Sequence, residues 1–167
     1  MRQSEFLKSN RLKKEHGGSL LVGKRKGRRA LSTTHAIHLT IKSDLKGVFN
    51  PGNRNLEQLI RKTADKFHVR IYETALNWSH IHCVVKIKDR KDYNAFIRAL
   101  TSLLAVKIRK HKNFTGKVFT LRPFTRILSW GRDFKNVLSY LVLNQLESLG
   151  LLARPKKTKK KKKLSQN

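Results

Sequence analysis

The chain has 167 residues and carries 39 Lys and Arg side chains against 10 Asp and Glu, a formal net charge of +29 at pH 7. A compact fold with this charge repels itself unless a polyanion is close, so nucleic acid is the first partner to consider. Because 38% of the residues are hydrophobic, the chain can bury a core, which excludes a disordered basic peptide. The sequence shows neither the ~20 apolar residues of a membrane span nor a signal-peptide core, so we expect no membrane association and a cytoplasmic location.

Both ends of the chain are predicted to lie outside the folded domain, which we place at residues 34–150. Residues 1–33 are polar and glycine-rich and are predicted to form a flexible basic arm, and residues 151–167 a disordered lysine-rich tail. The arm contains closely spaced cations that we expect to contact phosphate. These cations are Lys24, Arg25, Lys26, Arg28 and Arg29.

The first half of the domain predicts a strand, a helix and a second strand. Apolar residues alternate with others from Thr34 to Lys42, the pattern of a half-buried strand. Asn55 is predicted to cap the following helix, with Gln58 three residues later as in a capping box. The segment from Val69 to Leu76 is rich in strand-forming residues, although its alternation is poor.

The next predicted strand, His80 to Lys88, contains the most informative pattern of the chain. Alternate side chains share a face on an extended backbone, so His80 and His82 point to one side while Ile81 and Cys83 point to the other. Two imidazoles on one face provide half of a site for a divalent metal. Cys83 is the single cysteine of the chain, and its place on the apolar face indicates a packing role.

The remaining pattern predicts a helix over residues 92–110, a strand from Phe124 to Trp130 and a last helix from about Asp133 to Leu149. The order of strand, helix, two strands, helix and strand matches the split βαβ arrangement of a ferredoxin-like α+β fold. We therefore predict a four-stranded antiparallel sheet with helices on one face, plus a C-terminal helix. Right-handed crossovers would place the first and third strands side by side in the centre of the sheet.

This topology predicts where the histidines lie. If both crossover helices cover the sheet face that carries Ile81, then His80 and His82 lie on the other, open face, with His38 of the neighbouring strand beside them. Histidines on such a face are unusual for a purely structural sheet.

The last helix is predicted to bury one apolar stripe and to leave Tyr140 and Asn144 away from it. These two residues are four apart, so they are neighbours on the helix surface and can face a shared site. The stripe consists of Phe134, Leu138, Leu141, Val142, Gln145 and Leu149.

Together these residues suggest phosphoryl chemistry. Two neutral imidazoles and an amide oxygen form an incomplete ligand shell that suits Mn²⁺, Mg²⁺ with open water positions, or Zn²⁺. A metal held there would polarise a phosphoryl oxygen while the phenol of Tyr140 attacks phosphorus. A free tyrosine has a pKa of ~10, so the phenol needs metal or cationic help near neutral pH.

At these residues the chain resembles the single-tyrosine HUH transposases, in particular the REP-associated tyrosine transposase branch of the IS200-like transposases. The resemblance rests on the sequence from Asn77 to His82 entering a strand and on the sequence from Tyr140 to Gln145 in a late helix, and it covers residues 34–150. It implies that His80 and His82 bind a divalent cation, Mg²⁺ or Mn²⁺. It also implies that Tyr140 is the nucleophile that becomes attached to the 5′ side of a cut single strand.

The resemblance leaves the third metal ligand open. Some members of the family use glutamine four residues after the tyrosine, whereas that position is Asn144 here and Gln145 follows it. We favour Asn144, because Gln145 is predicted to project towards the core stripe. The resemblance further implies single-stranded or hairpin-forming DNA as the partner, bound by a monomer or a homodimer.

Other functions fit parts of the same pattern. One alternative is a non-enzymatic RNA- or DNA-binding protein with a ferredoxin-like sheet, although the strand that carries His80 lacks the aromatic signature of such RNA-binding sheets. Another is an HUH nickase of plasmid or phage replication, which would share the metal and tyrosine chemistry. For the transposase as for these alternatives, Arg122 and Arg126, which flank Pro123, are our preferred phosphate contacts in the folded domain.

Overall fold

The computed structural model of the protein describes residues 14–25 and 27–153. Lys26 and the lysine-rich tail from residue 154 onwards therefore lie outside the described residues. The described residues contain five strands, which we number in chain order: β1 Glu15–His16, β2 Ile37–Lys42, β3 Arg70–Asn77, β4 His80–Lys86 and β5 Phe124–Ile127. Three α-helices accompany them: α1 Arg54–Lys66, α2 Arg90–Lys112 and α3 Arg132–Ser148.

The strands form one antiparallel sheet in the order β1-β5-β2-β4-β3. Strands β2 and β4, the first and third of the predicted four, lie side by side as the crossover rule predicted. Their register places Thr40 opposite His82 and Lys42 opposite His80. The ferredoxin-like α+β arrangement is thereby confirmed, with one short strand more than the sequence predicted.

Helices α1 and α2 cover one face of the sheet, as expected. Their buried apolar residues, such as Ile60 and Phe96, form the main core with Leu39, Ile81 and Cys83 of the central strands. Burial raises the pKa of the Cys83 thiol to about 12, so this side chain is a packing residue as the sequence indicated. None of the helices in the described ranges combines the length and the apolar character of a membrane span.

Helix α3 packs on the opposite sheet face, so the prediction that this face is open is wrong. The buried side of the helix also differs from the predicted stripe. Val137 and Leu141 form a second, smaller core with residues of the sheet, including Val84. Val142 and Leu149, which were predicted to be buried, are 46% and 43% exposed. The helix is apolar on more than one side, so its periodicity alone could not determine which side faces the sheet.

The N-terminal segment corrects the predicted arm over residues 14–25. Glu15 and His16 pair with β5, and residues 18–21 form a 3-10 helix. Gly17 makes this docking possible because its φ is +90° and a Cβ there would lie 2.1 Å from the backbone oxygen of Pro123. Part of the predicted arm is thus an edge strand of the domain.

Two local features explain smaller differences from the sequence prediction. The cap of α1 is Asn53 rather than Asn55, since the side chain of Asn53 accepts a hydrogen bond of 3.1 Å from the backbone N–H of Leu56. The poor alternation in β3 reflects a register shift between Ile71 and Glu73, where the strand bulges.

The cap assignment predicts different effects for two neighbouring asparagines. We expect Asn53→Ala to lower the free energy of unfolding by about 1 kcal/mol, because an N–H at the helix start loses its acceptor. Asn55→Ala, at an exposed position inside the first turn, should change it by less than about 0.5 kcal/mol. Urea denaturation of both variants measures the difference, and equal effects would contradict the assignment.

Candidate active site

Three histidines gather on the sheet face that α3 covers. His80 and His82 lie on β4, and their ring centroids are 4.6 Å apart at nearly a right angle. His38 on β2 stacks against His82 with the ring centroids 5.1 Å apart. The predicted placement of the histidine pair on the face opposite Ile81, with His38 beside it, agrees with these contacts.

The two ring nitrogens of His82 have different environments. Its Nδ1 lies 3.0 Å from Nε2 of His38 and 3.1 Å from Oγ1 of Thr40, both within hydrogen-bond distance. Its Nε2 is buried and has no hydrogen-bond partner among the described residues. A proton on Nδ1 can be donated to either neighbour, which leaves the lone pair on Nε2. This is the tautomer of a histidine that binds a metal through Nε2.

The surroundings keep these imidazoles neutral. Burial, followed by the nearby His38 and His80, lowers the pKa of His82 to about 3. Burial and then the charge of Arg126 lower the pKa of His38 to about 4. The pKa of His80 is also lowered, by burial and then by Lys42. Neutral imidazole is the form that a metal requires.

Tyr140 lies on α3 directly beside the histidines. Its ring centroid is 5.9 Å from that of His82 in an edge-on arrangement. The side chain is 42% exposed, so a long polymeric substrate can reach it from solvent. The structure therefore brings together Tyr140, the predicted nucleophile, and the histidines that the sequence singled out.

The two residues considered as a third ligand have different environments. The amide of Gln145 is engaged with the backbone, since it accepts a hydrogen bond of 2.6 Å from the N–H of Leu76 and donates one of 2.7 Å to the carbonyl of Pro51. Asn144 is buried on the side of α3 that faces the sheet, one turn after Tyr140. The prediction that Asn144 lies away from the buried side is wrong, but its position towards the sheet brings it to the histidine face.

The donor set also restricts the kind of metal site. Within residues 14–25 and 27–153, no three His, Cys, Asp or Glu side chains are grouped so as to hold a metal ion. If a metal binds at the histidines, a third protein ligand would therefore come from another residue type, such as an amide oxygen. A set of two imidazoles and one amide leaves positions open for phosphate oxygens or water.

The cations of the predicted arm separate into two groups. Lys24, Arg25 and Arg28 are exposed and available to phosphate, whereas Lys26 lies outside the described residues. Arg29 is different: its guanidinium donates to Oγ1 of Thr125 at 2.8 Å, and burial lowers its pKa. Arg29 thus stabilises the docking of its own segment on β5, a role that the sequence pattern did not indicate.

The two arginines around Pro123 also differ from each other. Arg122 is exposed, and its carbonyl accepts a hydrogen bond of 2.9 Å from the N–H of Gly18. Arg126 forms an ion pair of 3.0 Å with Asp133 at the start of α3. Arg126 lies opposite His38 in the register of β2 and β5, so it links the first turn of α3 to the sheet beside the site.

Sequence reasoning missed Thr40, which shares the Nδ1 side of His82, and Lys42, which lies opposite His80. Both lie on the same face of β2 as His38. The alternation that selected His38 selects Thr40 and Lys42 as well, but their partners become known only with the register of β2 and β4.

The lowered pKa values predict how the stability of the metal-free protein depends on pH. An unfolded histidine titrates near 6.5, so below this pH the unfolded chain binds protons that buried His38 and His82 exclude. The free energy of unfolding should be constant above pH 6.5 and fall at lower pH by about 1.4 kcal/mol per unit for each histidine, until the folded pKa values of about 4 and 3 are reached.

Urea denaturation in the presence of a chelator, at pH values between 7.5 and 4.5, measures how the free energy of unfolding depends on pH. His38→Gln removes one of the two groups and should make the dependence shallower. A wild-type stability that stays constant down to pH 4.5 would contradict the burial of neutral imidazoles.

With the geometry established, comparisons with known proteins place the chain in a family. The model of the family described as IS200-like transposases matches residues 32–126, which is more than half of the chain and includes the histidine strand but not α3. Among curated proteins no sequence matches significantly.

Two solved structures resemble the fold. One is the REP-associated tyrosine transposase bound to a REP hairpin, with 12% identity over 77% of this chain and 76% of that one and a TM-score of 0.54. The other is a candidate transposase from Deinococcus radiodurans R1, with 13% identity over 72% of this chain and 97% of that one and a TM-score of 0.46. At such identity the first likeness establishes a shared fold, and the family match over residues 32–126 carries the assignment: the chain belongs to the IS200-like transposase family.

Proposed function

We propose that the protein is a metal-dependent single-stranded DNA transposase that cuts and rejoins DNA through a covalent 5′-phosphotyrosine intermediate on Tyr140. The observation that carries the proposal is the buried Nε2 of His82, which has no partner among the described residues and lies beside the ring of Tyr140. A buried polar atom without a partner costs stability, roughly 1–3 kcal/mol. A ligand that binds Nε2 would remove this cost.

The residues present fit a divalent metal. His80 and His82 would supply two nitrogens, and Asn144 would supply an amide oxygen from α3. Mg²⁺ or Mn²⁺ suits such a set when phosphate oxygens complete the shell, and the bound ion would polarise the scissile phosphate. Thr40 and His38 would hold the His82 ring in the required tautomer, as the partners of metal-binding histidines commonly do.

The covalent step would be a substitution at phosphorus with no change of oxidation state. Oη of Tyr140 forms a bond to the phosphorus, the phenolic proton is lost to water, and the bond to the 3′ oxygen of the preceding nucleotide breaks. One strand end then carries a 5′-phosphotyrosine and the other a free 3′-hydroxyl. Attack of a 3′-hydroxyl on the phosphotyrosine would rejoin the strands and release Tyr140.

Electrostatics support DNA as the partner. The formal charge of +29 and the exposed side chains of Lys24, Arg25, Arg28 and Arg122 favour a polyanion near the site. The structurally similar REP-associated transposase is bound to a REP hairpin. We therefore propose hairpin DNA with a single-stranded extension as the substrate of this chain, acted on in the cytoplasm at the nucleoid.

The nucleophile assignment predicts a covalent product. Wild-type protein incubated with Mn²⁺ and labelled hairpin strands from the DNA that flanks its gene should yield a protein-DNA adduct on a denaturing gel. Tyr140→Phe should yield none, and chelator should abolish the adduct of the wild type. Tyr93→Phe, which alters a tyrosine buried in the main core, is the matched control and should retain adduct formation.

An adduct formed by Tyr140→Phe would overturn the nucleophile assignment. Tight binding without an adduct on any flank would favour the alternative of a non-enzymatic nucleic-acid-binding protein.

The different environments of Asn144 and Gln145 predict opposite defects for their alanine variants. Asn144→Ala should weaken Mn²⁺ binding at least about tenfold, because a ligand is lost, and should slow adduct formation. Gln145→Ala should instead lower the free energy of unfolding by about 1–3 kcal/mol, because the Leu76 N–H and the Pro51 carbonyl lose their partners.

Titration calorimetry with Mn²⁺ and urea denaturation measure the two quantities for both variants. A loss of metal affinity in Gln145→Ala alone would reverse the ligand assignment.

A further inference from the structure

A cleft of about 350 Å³ opens beside the candidate active site, and the proposed cleavage chemistry assigns it no role. Its walls come from the N-terminal 3-10 helix on one side and from β2 and the start of β5 on the other. This volume is in the range of small-ligand sites. Among its lining residues are Thr40, Lys42, Arg122 and Phe124.

The cleft is continuous with the histidine face through Thr40. Oγ1 of Thr40 lies 3.1 Å from Nδ1 of His82, and Lys42 is directly opposite His80 in the register of β2 and β4. Phe124 pairs with Thr40 across β2 and β5, so its side chain is on the same sheet face. A DNA strand bound at His82 would therefore lie next to the opening of the cleft.

The lining suits an unpaired nucleotide. Phe124 offers a half-buried ring on which a base can stack, and Lys42 and Arg122 are exposed cations that line the same cleft. Aromatic rings flanked by cations are the usual means of holding single-stranded nucleic acid. Glu15 also lines the cleft, and its carboxylate would repel a phosphate at that end, which leaves the Lys42 and Arg122 side for the backbone.

The N-terminal wall belongs to this chain's own segment and lies before the family match, which begins at residue 32. The wall is attached by close backbone packing. Gly18 donates a hydrogen bond of 2.9 Å to the carbonyl of Arg122, and a Cβ at Gly18 would lie 3.3 Å from Cβ of Phe124. Gly17 packs against Pro123 closely enough to exclude any side chain. The cleft exists because these two glycines let the segment approach β5.

We propose that this cleft binds the unpaired nucleotide next to the scissile phosphate, with its base stacked on Phe124 and its phosphate held by Lys42 and Arg122. The proposal rests on the proposed function, because it identifies the single-strand site that serves Tyr140. The docked N-terminal segment would then be a wall of the substrate site and not a free arm.

The first experiment maps the stacked base by photocrosslinking. Hairpin oligonucleotides from the flanking DNA carry a single 5-iododeoxyuridine at successive positions of the single-stranded extension. They are bound to Tyr140→Phe protein, so that cleavage does not interfere, and irradiated at long wavelength. Mass spectrometry should find Phe124 crosslinked at one position of the extension, and Phe124→Leu should lose that crosslink. Crosslinks at other residues only, or none at Phe124, would overturn the proposal.

The second experiment measures affinity by fluorescence anisotropy of the same oligonucleotides. Phe124→Leu and Arg122→Gln should weaken binding at least about tenfold when the extension is present. They should have little effect on a hairpin without the extension. Equal losses on both substrates, or no loss on either, would contradict a single-strand site in the cleft.

Two glycine variants test the wall. Gly17→Ala and Gly23→Ala both place alanine at a positive φ, +90° and +70°, but only Gly17 meets a neighbour, whereas nothing lies within 4 Å of a Cβ at Gly23. Gly17→Ala should weaken binding of the extended substrate as Phe124→Leu does, and Gly23→Ala should not. Unchanged binding by Gly17→Ala would exclude the segment as a wall.

The adduct assay with wild-type protein separates failure of this proposal from failure of the proposed function. If wild-type protein forms an adduct but Phe124 is not crosslinked, the proposed function stands and the cleft assignment is wrong. If Phe124 is crosslinked but no adduct forms, the cleft is still a single-strand site and the catalytic role proposed for Tyr140 is wrong.

Discussion

The candidate site depends on the cross-strand hydrogen bond that Nδ1 of His82 makes with His38 or Thr40 on β2. The register of β2 and β4 places Thr40 opposite His82 and brings His38 within 3.0 Å of the same nitrogen. That bond orients the ring and leaves Nε2 buried without a partner among the described residues. A shift of the register by one residue would turn these side chains to the opposite face and destroy the arrangement.

The second requirement is the docking of α3 across the same face. Leu141 and Val137 bury the helix against the sheet, while the Gln145 amide binds the backbone of Leu76 and Pro51. These contacts fix the rotation of the helix, and with it the positions of Tyr140 and Asn144. If Tyr140 acts as the proposed nucleophile, a helix held by both apolar packing and backbone hydrogen bonds would preorganise it and reduce the cost of aligning it with a phosphate.

The sequence predicted the sheet, its central strand pair and the histidine face, because alternation along a strand determines which side chains share a face. It could not predict the orientation of α3, since Val142 and Leu149 are as apolar as the residues that the helix buries. It also missed the docking of residues 15–21, whose polar, glycine-rich composition is typical of a flexible arm. This docking depends on the close approach of Gly17 to Pro123, which is a long-range contact that a local sequence pattern cannot predict. The partners of Thr40 and Lys42 likewise depend on a long-range feature, the register of β2 and β4.

A crystal of the protein grown with Mn²⁺ would show by anomalous scattering whether a divalent metal binds Nε2 of His82 beside Tyr140. We expect an anomalous peak on the α3 side of the sheet, within coordination distance of the ring nitrogens of His80 and His82 and adjacent to the phenol of Tyr140. Manganese bound elsewhere, with Nε2 of His82 still uncoordinated, would contradict it.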